Sequence, residues 1–186
     1  MNIQQKYNIS TFAKLQLNYW GIAKCGNTTV KYILLRASNP ELFKRFDKDT
    51  VNMYNKRHQG WVHQKCIYIT PKEAKLNNFK NFTVLRDPVQ RVYSMYSNGL
   101  IRPERVAASG SEKFKKDARK MFVNYKPSMF EFLDLLEHYP DQDRNIHYRS
   151  QKSFCLFDDI IKLDIERLSS TIHKIHPSLI AVCLSF

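Results

Sequence analysis

Residues 15–36, LQLNYWGIAKCGNTTVKYILLR, constrain the fold more than any other stretch. Leu15, Leu17 and Tyr19 alternate with Gln16 and Asn18, a period of two that predicts a strand with one face on a core. Beyond Thr28 the apolar Val30, Ile33 and Leu34 recur at helical spacing, and Thr28 or Thr29 is suited to cap the helix start. The turn between carries Lys24, Gly26, Asn27, Thr28 and Thr29. Such a strand-turn-helix aims backbone N–H groups, the positive end of a helix dipole and a lysine at one point, which suits a phosphate or sulfate. It is not the P-loop of nucleoside triphosphatases: G-x-x-x-x-G-K-[ST] does not occur, and the lysine precedes the glycine. The plainer alternative is an ordinary strand-to-helix turn with capping threonines.

Charge narrows the partner. Lysine plus arginine exceed aspartate plus glutamate by 30 − 17 = 13, so an anionic ligand is expected: nucleic acid, nucleotides, sulfated or uronic-acid sugars, or a membrane surface. The 186 residues suffice for one domain over 1–186, its core at about 15–175, and a hydrophobic content of 43% marks a globular chain. No apolar run approaches the ~20 residues of a membrane span. The N-terminus lacks the apolar core of a signal peptide, so a cytoplasmic location is expected. Cys25, Cys66, Cys155 and Cys183 form no C-x-x-C and predict reduced thiols rather than a zinc site or disulfides. Cys25 lies in the key turn, where Lys24 and a helix start would favour a thiolate, but a nucleophile would also need a basic partner.

Residues 1–13 are polar and expected to be loosely held, with Ile9 and Phe12 as candidates to pack. Pro40 opens a short helix, and residues 47–65 show no sustained period, which predicts a loop or irregular helix carrying His58 and His63. Pro71 to Leu76 reads as another short helix. A second strand-turn-helix follows: Phe82 to Leu85 is β-rich, Arg86-Asp87-Pro88 breaks it, and Val89, Val92, Tyr93 and Tyr96 give an amphipathic stripe. Residues 99–126 read as a flexible basic excursion. Ser128-x-x-Glu131 is a capping box that starts a helix with Phe130, Leu133 and Leu136. Asp141 to Arg149 is a polar loop, Ile160 to Leu163 a third strand, and a helix then runs to about Ile175. Strands alternating with helices predict an α/β domain, three-layered α/β/α and P-loop-like, with a mainly parallel sheet. Ligands of such sheets bind beyond the strands' carboxyl ends, where the Lys24 and Arg86 turns are expected to converge on one polyanion.

AKCGNTT after a strand resembles the 5′-phosphosulfate loop of sulfotransferases. FTVLRDPVQRVYSMY resembles their 3′-phosphate strand and helix, in the form used by carbohydrate sulfotransferases and their bacterial relatives. It combines R-D-P, an arginine three residues after the proline and a serine eight after the first arginine. HYRSQKSFCLFDDIIKLD, from His147 to Asp164, is similar to a later segment of that family. The resemblance runs from about Leu15 to Ile175. It implies 3′-phosphoadenosine-5′-phosphosulfate (PAPS) as sulfuryl donor, a hydroxyl or amine of a carbohydrate (an acidic polysaccharide or glycolipid included) as acceptor, and no metal. Lys24 would hold the transferring group and stabilise the leaving bridging oxygen. Cys25, Gly26, Asn27, Thr28 and Thr29 would cradle the 5′-phosphate, and Arg86 and Ser94 the 3′-phosphate, a task that suits a guanidinium.

In-line attack on sulfur needs a base for the acceptor's proton. In several family members it is a histidine between the two phosphate motifs, a position shared here by His58 and His63. His63, 86 − 63 = 23 residues before Arg86, has the spacing that better resembles the family's base. Arg91 reads as a solvated charge or an acceptor contact, Asp87 as a tie within its turn, and His147 and Arg149 as acceptor contacts or fold supports. Asp164 stands where the family usually has glutamate and reads as structural, and the run Lys113 to Lys120 as a solvated face. Ala23 replaces the proline common before the loop lysine. The chain ends in LIAVCLSF where family members continue with segments that cover the donor, as a naturally short, truncated or frame-shifted chain would. Two other readings follow: a catalytically impaired relative that binds PAPS or its bisphosphate product without turnover, and a basic nucleic-acid module. The second lacks any nucleic-acid motif or aromatics interleaved with Lys and Arg. A kinase-like phosphoryl transferase would need a P-loop lysine and acidic metal ligands.

Overall fold

Ile9 and Phe12 are buried on a strand that begins well before the one the sequence pattern marks. The computed structural model describes residues 8–43, 56–106, 110–144, 147–154, 159–177 and 179, without the side chains of 56–59, 105, 106 and 169. β1 (Ile9–Phe12) passes through a 3-10 turn at Ala13–Leu15 and Gln16, at φ 51°, into β2 (Leu17–Trp20), and the two pair antiparallel with Ile9 opposite Trp20. From Ile9 onward, then, the expected loose N-terminal stretch is part of the sheet. Four residues with Ser10 and Thr11 between two apolar ends are too few to show a period.

β1 also pairs antiparallel with β3 (Ile67–Ile69), β2 pairs parallel with β4 (Lys80–Leu85), and β4 pairs parallel with β5 (Ile161–Asp164). The order is β3-β1-β2-β4-β5, with β1 alone running against the other strands. The predicted α/β class with a mainly parallel sheet is what the chain forms. β2, however, is buried along its whole length instead of on one face. Asn18, which alternation assigns to solvent, donates to Ala74 O (3.2 Å), Asn77 Oδ1 (2.9 Å) and Asn81 Oδ1 (3.2 Å), and accepts from Asn77 Nδ2 (3.0 Å). An amide buried on a strand covered on both faces needs partners, and Asn18 has them.

Two compact units share the chain, Met1–Leu85 with Phe157–Phe186, and Arg86–Leu156. In the first, α1 (Asn27–Ser38) and α2 (Lys56–Lys65) join the sheet around Leu17, Tyr19, Ile33, Leu34, Phe82 and Leu163. The stretch read as irregular is thus a regular helix from Lys56. It is anchored by buried Val62 and by Trp61, whose ring meets Phe43 edge-on at 5.3 Å. The helix from Pro40 is a 3-10 turn, Pro40–Phe43, and residues 44–55 lie outside the described ones. α3 (Pro71–Leu76) starts at Pro71 as predicted, closed by a Thr70–Glu73 capping box. After β5, Ile165–Arg167, α8 (Leu168–Thr171) and Ile172–Lys174 alternate 3-10 and α geometry where one helix was expected.

The second unit holds α4 (Pro88–Ile101), α5 (Pro103–Val106), α6 (Glu112–Asn124) and α7 (Met129–His138). The expected flexible excursion is largely helical. On α6, Phe114, Ala118 and Phe122 recur every four residues and are buried, while Lys113, Lys116, Arg119 and Lys120 are exposed. On α4, Val89 and Tyr93 of the predicted stripe are exposed, and Arg91, Met95 and Gly99 form the buried one. Glycine permits that choice: a Cβ at Gly99 would stand 2.5 Å from the Phe122 ring. α7 begins at the Ser128–Glu131 capping box but buries Phe132, Leu135 and Leu136, leaving Phe130 and Leu133 exposed. No helix among the described residues is long and apolar enough to cross a membrane.

Candidate functional site

β2 ends at Trp20, a turn occupies residues 23–26, and α1 opens at Asn27. Two residues of that turn, Lys24 (φ 68°) and Gly26 (φ 67°), are left-handed. The conformation is natural for glycine and costly for lysine, a cost of about 1–3 kcal/mol that is typically met at functional sites. Gly26 is also fixed by space, since a Cβ there would lie 2.6 Å from Ile165 Cδ1, just past β5.

Gly26 is the N-cap, and among the described residues no side chain caps α1. The expected Thr28 or Thr29 cap does not form, because the helix starts one residue before Thr28 and places both threonines inside its first turn. The amides of Asn27, Thr28 and Thr29 thus stand at the positive end of a twelve-residue helix whose N-cap glycine offers no side-chain acceptor. Cys25, in the same turn, is a buried free thiol.

His63 reaches this turn from the last turn of α2. Its Nε2 is 3.2 Å from Thr28 Oγ1 and its Nδ1 2.9 Å from the Tyr68 hydroxyl on β3. Burial and, second, the charge of Lys31 lower its pKa to about 4, outweighing the helix C-terminus, whose dipole favours an imidazolium. The ring is therefore neutral at neutral pH. Lys31, one turn beyond Thr28, is fully buried; it donates to Asn8 Oδ1 at 2.6 Å and to the Tyr68 hydroxyl at 3.1 Å. Burial lowers it to about 8, while Cys66 opposes that shift. His58 lies on α2 as well, but its side chain is outside the described residues.

In the second unit Arg86 opens the R-D-P turn. Its amide donates to Gln151 Oε1 (3.0 Å), and Gln151 Nε2 donates back to Arg86 O (2.8 Å), so one side chain clamps the residue's backbone from both sides. The guanidinium donates to Gln90 Oε1 at 3.4 Å. Asp87 caps α4 through Gln90 N (2.9 Å). Ser94 is half-buried two turns into α4. Arg91 is buried, so the solvated reading of it does not hold: it falls on the inward Arg91–Met95–Gly99 stripe. Arg149 donates to Arg144 O (3.3 Å) and Gln142 O (3.2 Å) and so supports its loop, while His147 is exposed. In the first unit Asp164 caps the turn after β5 through Glu166 N (2.9 Å), the structural task expected of it.

The model of the Sulfotransferase family matches residues 7–182. The chain belongs to the sulfotransferase family. No curated protein and no solved structure matches it. A sulfotransferase moves a sulfuryl group onto an acceptor, and the match runs through both units and all three motif segments. The structure gathers Lys24, Cys25, Gly26, Asn27, Thr28, Thr29 and His63 in the first unit, and Arg86 and Ser94 fall in the second. Sequence reasoning missed Lys31, Tyr68 and Gln151. One signal was present for Lys31, a lysine set within the otherwise apolar run VKYILL.

Proposed function

We propose that this sulfotransferase takes its sulfuryl group from PAPS and delivers it to a hydroxyl or amine of a carbohydrate, residues 1–186 serving as one sulfotransferase domain. The observation that carries the reading is the uncapped start of α1, with left-handed Lys24 and Gly26 before it and His63 against Thr28. A tetrahedral 5′-phosphate suits the three first-turn amides of a helix N-terminus, and the Thr28 and Thr29 hydroxyls add donors. Lys24 binds the sulfuryl oxygens and the bridging oxygen as negative charge builds there. Arg86 and Ser94 take the 3′-phosphate, the group that separates this donor from ordinary adenine nucleotides, and Gln151 fixes the backbone from which Arg86 reaches.

In the reaction, the acceptor oxygen forms a bond to sulfur while the bond from sulfur to the bridging phosphate oxygen breaks. Adenosine 3′,5′-bisphosphate leaves with that electron pair. The acceptor's proton goes to His63, which its environment keeps neutral and able to receive it. The chain's net charge of +13 favours encounter with an anionic donor and with acidic sugars. Calorimetric titration with adenosine 3′,5′-bisphosphate, against adenosine 5′-monophosphate, tests the reading. Binding that depends on the 3′-phosphate supports it, and equal or absent binding of the two overturns it.

A further inference from the structure

The mechanism above leaves Lys31 and Tyr68 without a task and His63 with a weak grip on a proton. Yet the three form one hydrogen-bonded chain with Thr28. It runs from Thr28 Oγ1 to His63 Nε2 (3.2 Å), from His63 Nδ1 to the Tyr68 hydroxyl (2.9 Å), and from that hydroxyl to Lys31 Nζ (3.1 Å), which Asn8 Oδ1 holds from its far side (2.6 Å).

Its protons can be ordered in two ways. An ammonium only donates. With Lys31 charged, the Tyr68 oxygen accepts from it and the phenolic proton goes to His63 Nδ1. His63 then carries its proton on Nε2, pointed at Thr28, and has no lone pair there for a substrate. With Lys31 neutral, its amine accepts the phenolic proton, the Tyr68 oxygen accepts from Nδ1–H, and Nε2 meets the loop with a free lone pair.

We propose that Lys31, acting through Tyr68, sets which nitrogen of His63 carries the proton, and that Lys31 stores the proton His63 removes from the acceptor. The proposal rests on the reading of His63 as the base. The acceptor O–H breaks as Nε2–H forms; Nδ1–H passes to the Tyr68 oxygen, and the phenolic proton passes to Lys31 Nζ. His63 and Tyr68 end neutral, and the amine has become an ammonium. After the bisphosphate leaves, the proton returns along the same path and departs from Nε2 to water. Lys31 and Tyr68 are positioning residues, since neither touches the substrate.

The environment supports this division of labour. The amine, at about 8, holds a proton far better than an imidazole at about 4. Around them Cys66, between α2 and β3, is pushed up to about 11 and Tyr68 to about 12, and Tyr19 of β2 is raised well above the usual phenol value, all chiefly by burial. β1 contributes the uncharged Ser10, opposite Tyr68, and Asn8 just before the strand is uncharged too; the loop carries the cation of Lys24. Among these groups Lys31 is left to titrate near pH 8.

The tautomer of His63 is read directly from the nitrogen shifts of 15N-histidine-labelled protein, with the resonance assigned by its loss in His63→Gln. This readout needs no turnover. Wild-type His63 is expected to change from Nε2–H to Nδ1–H in a step near pH 8, and the step is expected to be missing in Lys31→Met and in Tyr68→Phe. A single tautomer at every pH in wild type, or a step that persists in either variant, overturns the proposal. Tyr68→Phe keeps the ring and serves where Lys31→Met does not fold. In turnover it is expected to lower kcat about tenfold to a hundredfold with the donor KM within about twofold, and to remove the rise of kcat through pH 8. If His63→Ala leaves kcat unchanged, the base reading falls, and the storage of the acceptor's proton falls with it. If His63→Ala is inactive but the tautomer step is absent, this proposal alone falls.

Discussion

His63 Nε2 and Thr28 Oγ1 stand 3.2 Å apart, so the candidate base and the candidate phosphate loop share a hydrogen bond before any ligand arrives. Substitution on the two sides of that bond separates binding from chemistry. Thr28→Val removes a donor to a charged phosphate and should weaken adenosine 3′,5′-bisphosphate by about tenfold, as loss of a hydrogen bond to a charged group does. His63→Ala should leave that affinity within about threefold and lower kcat by about 10²–10⁴-fold. Calorimetry and initial rates on both variants decide. If His63→Ala costs affinity instead of rate, the histidine shapes the loop rather than taking the proton.

The depressed pKa of His63 also writes itself into stability. At pH above about 6.5 the ring is neutral in both folded and unfolded chains and contributes nothing to the pH slope. Between 6.5 and about 4 the unfolded chain takes up a proton that the folded chain refuses, so folding becomes less favourable as pH falls through that window. Urea unfolding of wild type and His63→Gln should therefore diverge from pH 6.5 down to about 4, wild type losing more, and run parallel below. Curves that stay parallel throughout would place the ring in ordinary solvent.

Two glycines predict opposite signs. Gly26 is left-handed, and a Cβ there would press on Ile165 Cδ1 at 2.6 Å. Gly26→Ala should lower stability by about 1–2 kcal/mol and disturb the loop with it. Gly60 lies inside α2 with nothing within 4 Å of an added Cβ. Gly60→Ala should raise stability by about 0.5–1 kcal/mol, with activity unchanged. Thermal denaturation of the two variants checks both signs at once.

How much of this could be read beforehand depends on how local the physics is. The loop was legible because its lysine, glycine and threonines are adjacent in the chain, and their chemistry needs no partner from elsewhere. The Ser128–Glu131 box was legible for the same reason, yet the buried face of α7 was not: Phe130 and Phe132 fit the helix equally well until a neighbour chooses. The helix α6 hid behind its charges, since a one-residue-wide stripe of Phe114, Ala118 and Phe122 is diluted by the lysines between them. Lys31, His63 and Tyr68 come from three elements, and only the pairing of β1 with β3, Ser10 opposite Tyr68, seats the phenol beside α1. No spacing rule within one segment could have found that chain.

R-D-P marks Arg86 within one short segment, whereas Gln151 lies 65 residues later in the chain. It satisfies both the amide and the carbonyl of Arg86, at 3.0 Å and 2.8 Å, and so fixes the backbone from which the guanidinium extends. A charged bidentate contact to phosphate is worth about 1.5–3 kcal/mol, so Arg86→Ala should weaken adenosine 3′,5′-bisphosphate by about tenfold to a hundredfold. Gln151→Ala keeps the guanidinium but frees its anchor, and about a threefold to tenfold loss is expected from the wider range of positions the arginine then samples. Adenosine 5′-monophosphate, which lacks the 3′-phosphate, should bind wild type and both variants alike. A loss shared equally by the two nucleotides would mean that Gln151 supports the unit as a whole; a loss confined to the bisphosphate would make it the residue that aims Arg86.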